Sequence, residues 1–127
     1  MQSNILKEAE DIQKKLISMG FTWSSHEQAK SKLYEEVDEL YWEIENKSNQ
    51  NRLEDEFGDC LFSLINIGCR LNLNAEHCLE NAILKFKHRV AYLELRAERE
   101  KLSLKDVSID RMLEWWKEAK LNDEKTD

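Results

Sequence analysis

Proline is absent from this 127-residue chain, and glycine occurs only three times. Both residues interrupt helices, so their scarcity suits long, unbroken ones. Cysteine is also sparse, at three residues, an odd number for a disulfide framework. Cys60 and Cys69, nine apart, point to opposite faces of one helix and cannot share a metal. Buried free thiols in a reducing cytoplasm are the expectation. No run of 18 apolar residues is present, so no membrane span is expected. The N-terminal MQSNILKEAED lacks the basic start and apolar run of a signal peptide. Net charge is −7, the wrong sign for nucleic acid or an anionic membrane as partner. A Gly-rich phosphate loop, a Ser-His-Asp set and a Cys-rich zinc spacing are missing too. None of His26, His77 and His88 has a Glu three residues before it, so the Glu-x-x-His signature of di-iron bundles is not met.

What the chain does have is charge, 35% of its residues, and apolar residues at helical spacing. The expected fold is all-α, a bundle of four to five helices forming one domain over residues 1–121, with a disordered tail at 122–127. Ile5, Ala9, Ile12 and Leu16 mark a first helix over 3–19, ended by Gly20. Ser25, with Gln28 three residues on, caps a second helix over 26–46. A third runs over 52–71 and a fourth over 75–101. A last helix begins after Ser108 and carries Met112, Leu113 and Trp116. The third helix is apolar almost all round after Asp59, so it is expected to be central or to lie in an interface. With few helices to cover it, a homodimer or higher homo-oligomer follows. Gly58 and Gly68 within it point to close backbone approach.

The centre of the chain is Lys32–Asp59, KLYEEVDELYWEIENKSNQNRLEDEFGD. It holds two acidic clusters, Glu35-Glu36-x-x-Glu39 and Asp55-Glu56-x-x-Asp59, joined by a polar KSNQN connector. The halves echo each other at an offset of 20: Lys32 with Arg52, Leu33 with Leu53, Glu36 with Glu56, Glu39 with Asp59. At about 100° per residue, each helix has an apolar stripe beginning at Leu33 or Leu53. A carboxylate pair lies on its flank: Glu36 and Glu39 on one, Glu56 and Asp59 on the other. A short connector makes the two helices an antiparallel hairpin, with its middle near Asn49 and with Glu39 and Asp59 at similar height. One such cluster is ordinarily a solvated face. Two in phase and level with each other are a costly gathering of like charge unless a cation sits among them, and oxygen-only ligands suit Mg²⁺ or Mn²⁺. Asn66, in line with Asp59, faces the same cleft, where it would touch sugar or base.

K-x-x-EE-x-x-E, followed by E-x-x-D and then LFSLINI, resembles the MazG family of nucleoside triphosphate pyrophosphohydrolases, most of all the C-terminal catalytic domain of its two-domain members. The likeness runs from Gly20-Phe21-Thr22-Trp23 to Lys120. It implies an all-α pyrophosphohydrolase fold and Mg²⁺-dependent hydrolysis of a nucleoside triphosphate to the monophosphate and pyrophosphate. The resemblance gives Glu36, Glu39, Glu56 and Asp59 the metal, and leaves Glu35 or Asp55 to position or deprotonate water. Lys32, Arg52, Lys85, Arg89 and Lys120 are implied to neutralise phosphates. Trp116, with Lys120, is implied to reach the nucleotide, and Phe21 and Trp23 to wall its base. Asp55 and Arg52 depart from the family pattern, which has Glu and Lys there. The competing readings are a dUTPase- or dCTPase-like relative and a non-catalytic helical adaptor.

Overall fold

The computed structural model describes residues 4–125 and the side chains of residues 4–123. Among these are five α-helices and no strand: α1 Ile5–Ser18, α2 His26–Glu45, α3 Gln50–Arg70, α4 Ala75–Arg99 and α5 Ile109–Lys125, with a 3-10 turn at Leu104–Asp106. The all-α expectation holds. α5 continues through residues 122–125, where the sequence reading put a disordered tail, and residues 126 and 127 lie outside those described.

One chemistry starts every helix. Asn4, Ser25, Asn49, Asn74 and Ser108 each accept, through a side-chain oxygen, the backbone N–H three residues on, which satisfies an amide that has no partner inside the helix. Because Asn49 caps α3, the helix begins at Gln50, two residues earlier than the apolar pattern placed it. At the end of α1, Gly20 adopts φ 86°. Its N–H bonds Ile17 O at 3.0 Å, and that of Phe21 bonds Leu16 O at 2.9 Å, a Schellman ending. The same paired bonds end α2, α3 and α4, but there the left-handed residues are Lys47 (φ 54°), Asn72 (φ 58°) and Lys101 (φ 57°).

The chain divides into two compact units, residues 1–78 and 79–127. In the first, α3 packs chiefly on α2 and secondarily on α1. The hairpin is antiparallel: Glu43 bonds Arg52 beside the connector, and seven residues further out on each helix Glu36 approaches Asp59. This register centres the turn on Lys47 and Ser48 rather than Asn49. It puts Glu36, not Glu39, level with Asp59.

Several faces differ from their apolar patterns. The most buried line of α2 is Ala29, Glu36 and Glu43, while Leu33, Val37 and Leu40 are half-buried and Ile44 is exposed. On α1, Ile5 and Ile12 are exposed, and the buried side carries Glu10 and Gln13 between half-buried Leu6 and Ile17. Residues seven and four apart share a helix face, so Leu6, Gln13 and Ile17 define the side that packs. Glu10 is turned inward to the start of α4, where Oε2 accepts Ala75 N–H at 3.4 Å, a favourable place for a carboxylate. A Cβ built at Gly58 or Gly68 would meet nothing within 4 Å, so neither glycine serves a close approach among the described residues.

The second unit is built on Trp115, 1% exposed, packed with Ala97 and Val107 and flanked by Tyr92, Leu93, Leu104 and Met112. The Arg96 and Arg111 guanidinium groups lie over its ring at 5.2 and 5.3 Å. Glu118 accepts from Arg96 and from Tyr92 Oη, the latter at 2.6 Å.

A Cβ makes the left-handed backbone unfavourable by roughly 1–2 kcal/mol, and glycine removes that term while loosening the unfolded chain. Lys47→Gly is therefore expected to stabilise the protein by about 0.5–1 kcal/mol, seen as a higher denaturation midpoint at unchanged m-value. A lower midpoint would mean that Lys47 contributes contacts that outweigh its backbone strain.

Candidate active site

The seam between α2 and α3 positions the acidic residues. Ligand atoms of Glu36, Glu56 and Asp59 all lie within 4.8 Å of one another. Glu36 is 7% exposed. Its Oε1 takes the Lys32 ammonium at 2.9 Å, whereas Oε2 is buried without a hydrogen-bond partner, as is Oε2 of Glu56. Buried carboxylate oxygens need a compensating group. Two such oxygens beside a third carboxylate form an oxygen-only donor set that fits a hard divalent cation. Glu39 is exposed, outside this triad, and acts on it through its charge.

The electrostatics follow from the crowding. Burial, reinforced by Glu39, Asp59, Glu36 and Asp55, raises the Glu56 carboxyl above its usual range. Burial with Glu36 and Asp55 raises Asp59 likewise, with Lys32 opposing. The hydrogen bond to Glu36 in turn holds the Lys32 ammonium above the usual lysine range. Glu35 is exposed and 3.7 Å from Lys32, and Asp55 is exposed on α3.

Arg52 is engaged as a clamp. Its Nε bonds both Glu43 oxygens at 3.2 Å, and Nη2 bonds Oε1 at 2.8 Å. Ser48 donates to the same carboxylate. The Arg52 hydrogen bond first, then Ser48, lowers the Glu43 carboxyl below its ordinary range.

Beside the triad lies a cleft of about 420 Å³. Lys32, Glu36 and Asp59 line it together with Leu16, Phe21, Trp23, Phe62, Asn66 and Gln13. The structure thus places Phe21, Trp23 and Asn66 on the same cleft as two of the acidic residues. Arg70 holds the 22–23 linker at its rim, donating from Nη1 to Trp23 O at 2.7 Å and to Thr22 Oγ1 at 3.3 Å. Gln13 and Arg70 were not singled out by the sequence reading. Leu6 and Ile17, which bracket Gln13 on one face, were the available signal for it. For Arg70 the signal was its place in line with Asp59 and Asn66 on the otherwise apolar third helix.

Lys85, Arg89, Trp116 and Lys120 belong to the second unit. Lys85 and Lys120 are exposed. Arg89 is largely buried, its Nε 2.9 Å from Asp123 Oδ2. Its guanidinium lies over the rings of Phe86 and Trp116 at 5.4 and 5.5 Å.

Comparison with known proteins gives this arrangement its context. The family model for the MazG nucleotide pyrophosphohydrolase domain matches residues 24–94, across the boundary between the two units. The chain is 34% identical over 119 residues to the nucleoside triphosphate pyrophosphohydrolase/pyrophosphatase MazG of Thermotoga maritima, which covers 94% of this chain and 45% of that protein. It is 34% identical over 116 residues to the nucleoside triphosphate pyrophosphohydrolase of Escherichia coli K12, covering 91% and 44%. The chain therefore spans about half the length of these curated relatives.

The raised Glu56 carboxyl sets a sign. A carboxyl whose folded pKa exceeds its unfolded value stabilises the fold below the unfolded value and loses that contribution as pH rises through the folded one. Metal-free protein at pH 7 therefore carries Glu56 as a destabilising charge. In chelator, Glu56→Gln is expected to melt above wild type near neutral pH, with the gap closing as pH falls into the carboxylate range. A variant that melts lower at every pH would show that the Glu56 charge is compensated within the chain.

Proposed function

The chain belongs to the MazG nucleotide pyrophosphohydrolase family, and on that premise we propose that it hydrolyses a nucleoside triphosphate to the monophosphate and pyrophosphate. The observation that carries the reading is the Glu36–Glu56–Asp59 triad, with two buried, unpartnered oxygens, opening onto a cleft with aromatic walls. Both relatives are named for this activity.

Glu36, Glu56 and Asp59 would hold Mg²⁺, or Mn²⁺, which when bound offsets the charge of the phosphate oxygens, and Glu39, exposed outside the triad, joins them on the family resemblance alone. Glu35 or Asp55 positions a water and takes its proton. The water oxygen bonds the α phosphorus as the α–β bridging bond breaks, and pyrophosphate leaves whole. Lys32, Lys85, Arg89 and Lys120 neutralise phosphate charge, a largely electrostatic task, and Arg52 joins them on the family resemblance alone, since its guanidinium is held on Glu43. Trp116 and Asn66 contact the nucleotide, and Phe21 and Trp23 wall the base. Lys85, Arg89, Trp116 and Lys120 enter on the family resemblance. We read residues 1–121 as one catalytic domain, a reading supported by the family match that crosses from one compact unit into the other. The free state of Cys60, Cys69 and Cys78 supports a cytoplasmic protein. No described helix is long and apolar enough to cross a membrane.

A homodimer or higher assembly completes the proposal. Phe57, Leu61 and Leu64 on α3 are 55, 49 and 55% exposed, at spacings that make one apolar stripe. Leu79, Ile83, Phe86 and Val90 make another on α4. Stripes of this length on a free chain mark an association surface.

Chromatography of reaction products tests the chemistry. Monophosphate and pyrophosphate are expected, and diphosphate with orthophosphate would rule the reading out. Glu36→Gln and Asp59→Asn are expected to abolish turnover with the fold retained. Lys85→Ala and Arg89→Ala should each lose about ten- to a hundredfold in kcat/KM, the scale of one charge-assisted contact. Light scattering at micromolar concentration is expected to give at least twice the 15.1 kDa chain mass; a folded monomer would overturn the assembly.

A further inference from the structure

A backbone carbonyl accepts hydrogen bonds and never donates them. Phe62 O therefore orients the Gln13 amide: Nε2 donates to it at 3.0 Å, which turns Gln13 Oε1 toward Asn66. That oxygen accepts from Asn66 Nδ2 at 2.8 Å. Asn66 is left with Oδ1, buried and without a partner. The residue is 9% exposed and lines the cleft. A free carboxamide offers donor or acceptor as needed, but this one is locked as an acceptor by a relay that ends on the main chain.

Phosphate oxygens are acceptors and cannot satisfy an acceptor, so a nucleotide in the cleft can meet this oxygen only through an N–H or O–H elsewhere in it. Asn66 lies seven residues beyond Asp59 on α3, about 10 Å further along the axis. That is the direction in which the cleft runs from its acidic end. Leu16, Phe21, Trp23 and Phe62 supply apolar walls on the same cleft, suited to a flat ring whose polar edge is its only hydrogen-bonding part.

We propose that Asn66 Oδ1 reads the base by accepting an N–H from its edge, and that Gln13 is the positioning residue that fixes this polarity. The substrate class is then a nucleotide whose base presents an amino or ring N–H at that edge, with bases that lack or block it rejected. The proposal rests on the nucleotide hydrolase reading above.

The test is steady-state pyrophosphate release from matched nucleotides that differ at the N–H: ATP with purine riboside triphosphate, CTP with its 4-deamino analogue, GTP with 1-methyl-GTP and UTP with 3-methyl-UTP. For the preferred base, wild type is expected to favour the N–H partner by about ten- to a hundredfold in kcat/KM, chiefly through KM. Gln13→Leu and Asn66→Leu should compress the ratio to within about threefold, a change that general loosening of the fold would not produce, because it would lower both members of a pair together. If Gln13→Leu does not fold, Gln13→Met replaces it. Its unbranched side chain carries no amide to accept from Asn66 Nδ2, and the same collapse is expected. A wild type that releases pyrophosphate yet treats all four pairs alike overturns the proposal and leaves the reaction standing. So does a larger loss on removing a ribose hydroxyl than on removing the N–H. No pyrophosphate from any nucleotide overturns the reaction reading and this proposal with it.

Discussion

Repulsion between carboxylates in the seam of the α2–α3 hairpin is the constraint on which the first unit depends. Packing helices through an acidic line is unfavourable unless each charge has an answer nearby. Next to the connector the answer is internal: Arg52 covers Glu43 and closes the hairpin. One layer out, Lys32 takes one oxygen of Glu36, and the remaining buried oxygens of Glu36 and Glu56 have no protein partner. The chain thus neutralises the layer that holds it together and leaves charge uncompensated in the layer beside the cleft. Charge left over at that one place, within a seam otherwise balanced, distinguishes a ligand site from a structural ion pair.

How much of this was legible in the sequence depends on whether the signal was local. Helix starts were local at Ser25 and Ser108, where one Ser with its third neighbour suffices, but the Asn49 cap was missed and α3 was begun two residues late. Local too was the doubled acidic motif, which places Glu36, Glu56 and Asp59 on matching flanks whatever lies around them. Register was less so: a turn centred on Lys47 and Ser48 instead of Asn49 moves Glu39 out of line with Asp59. The facing of α1 was not local at all. Its most regular apolar residues, Ile5 and Ile12, are exposed, and its buried side carries Glu10 and Gln13. Their burial is made tolerable by partners 49 to 65 residues away, the Phe62 carbonyl, the Asn66 amide and the Ala75 N–H. Periodicity counts apolar residues and is blind to a polar side chain whose hydrogen bonds are supplied by another helix.

The second unit handles its cations differently. Arg96 and Arg111 flank Trp115, and Arg89 rests on Phe86 and Trp116 with Asp123 at its Nε. Guanidinium groups held against rings are stripped of part of their water and lose rotamer freedom before any ligand arrives. Lys85 and Lys120, exposed and unstacked, keep both. The four basic and aromatic positions singled out from sequence are therefore physically unlike: two mobile ammonium groups and one pre-set arginine with its indole.

The seam itself has a further property. Its levels recur every seven residues on both helices, Glu43 with Arg52, Glu36 with Asp59, then Ala29 at the height of Asn66, so successive levels are about 10 Å apart. Perturbations separated by more than about 7–10 Å and sharing no partner combine additively. The clamp and the amide layer, two levels or about 20 Å apart, are thus close to thermodynamically independent modules on one pair of helices, while the acidic layer between them feels Arg52 through Glu56. A lineage can exchange the amide layer, and with it what enters the cleft, while the acidic layer keeps its geometry. The hairpin is in this sense an evolvable part, in which selectivity drifts without re-solving the folding problem.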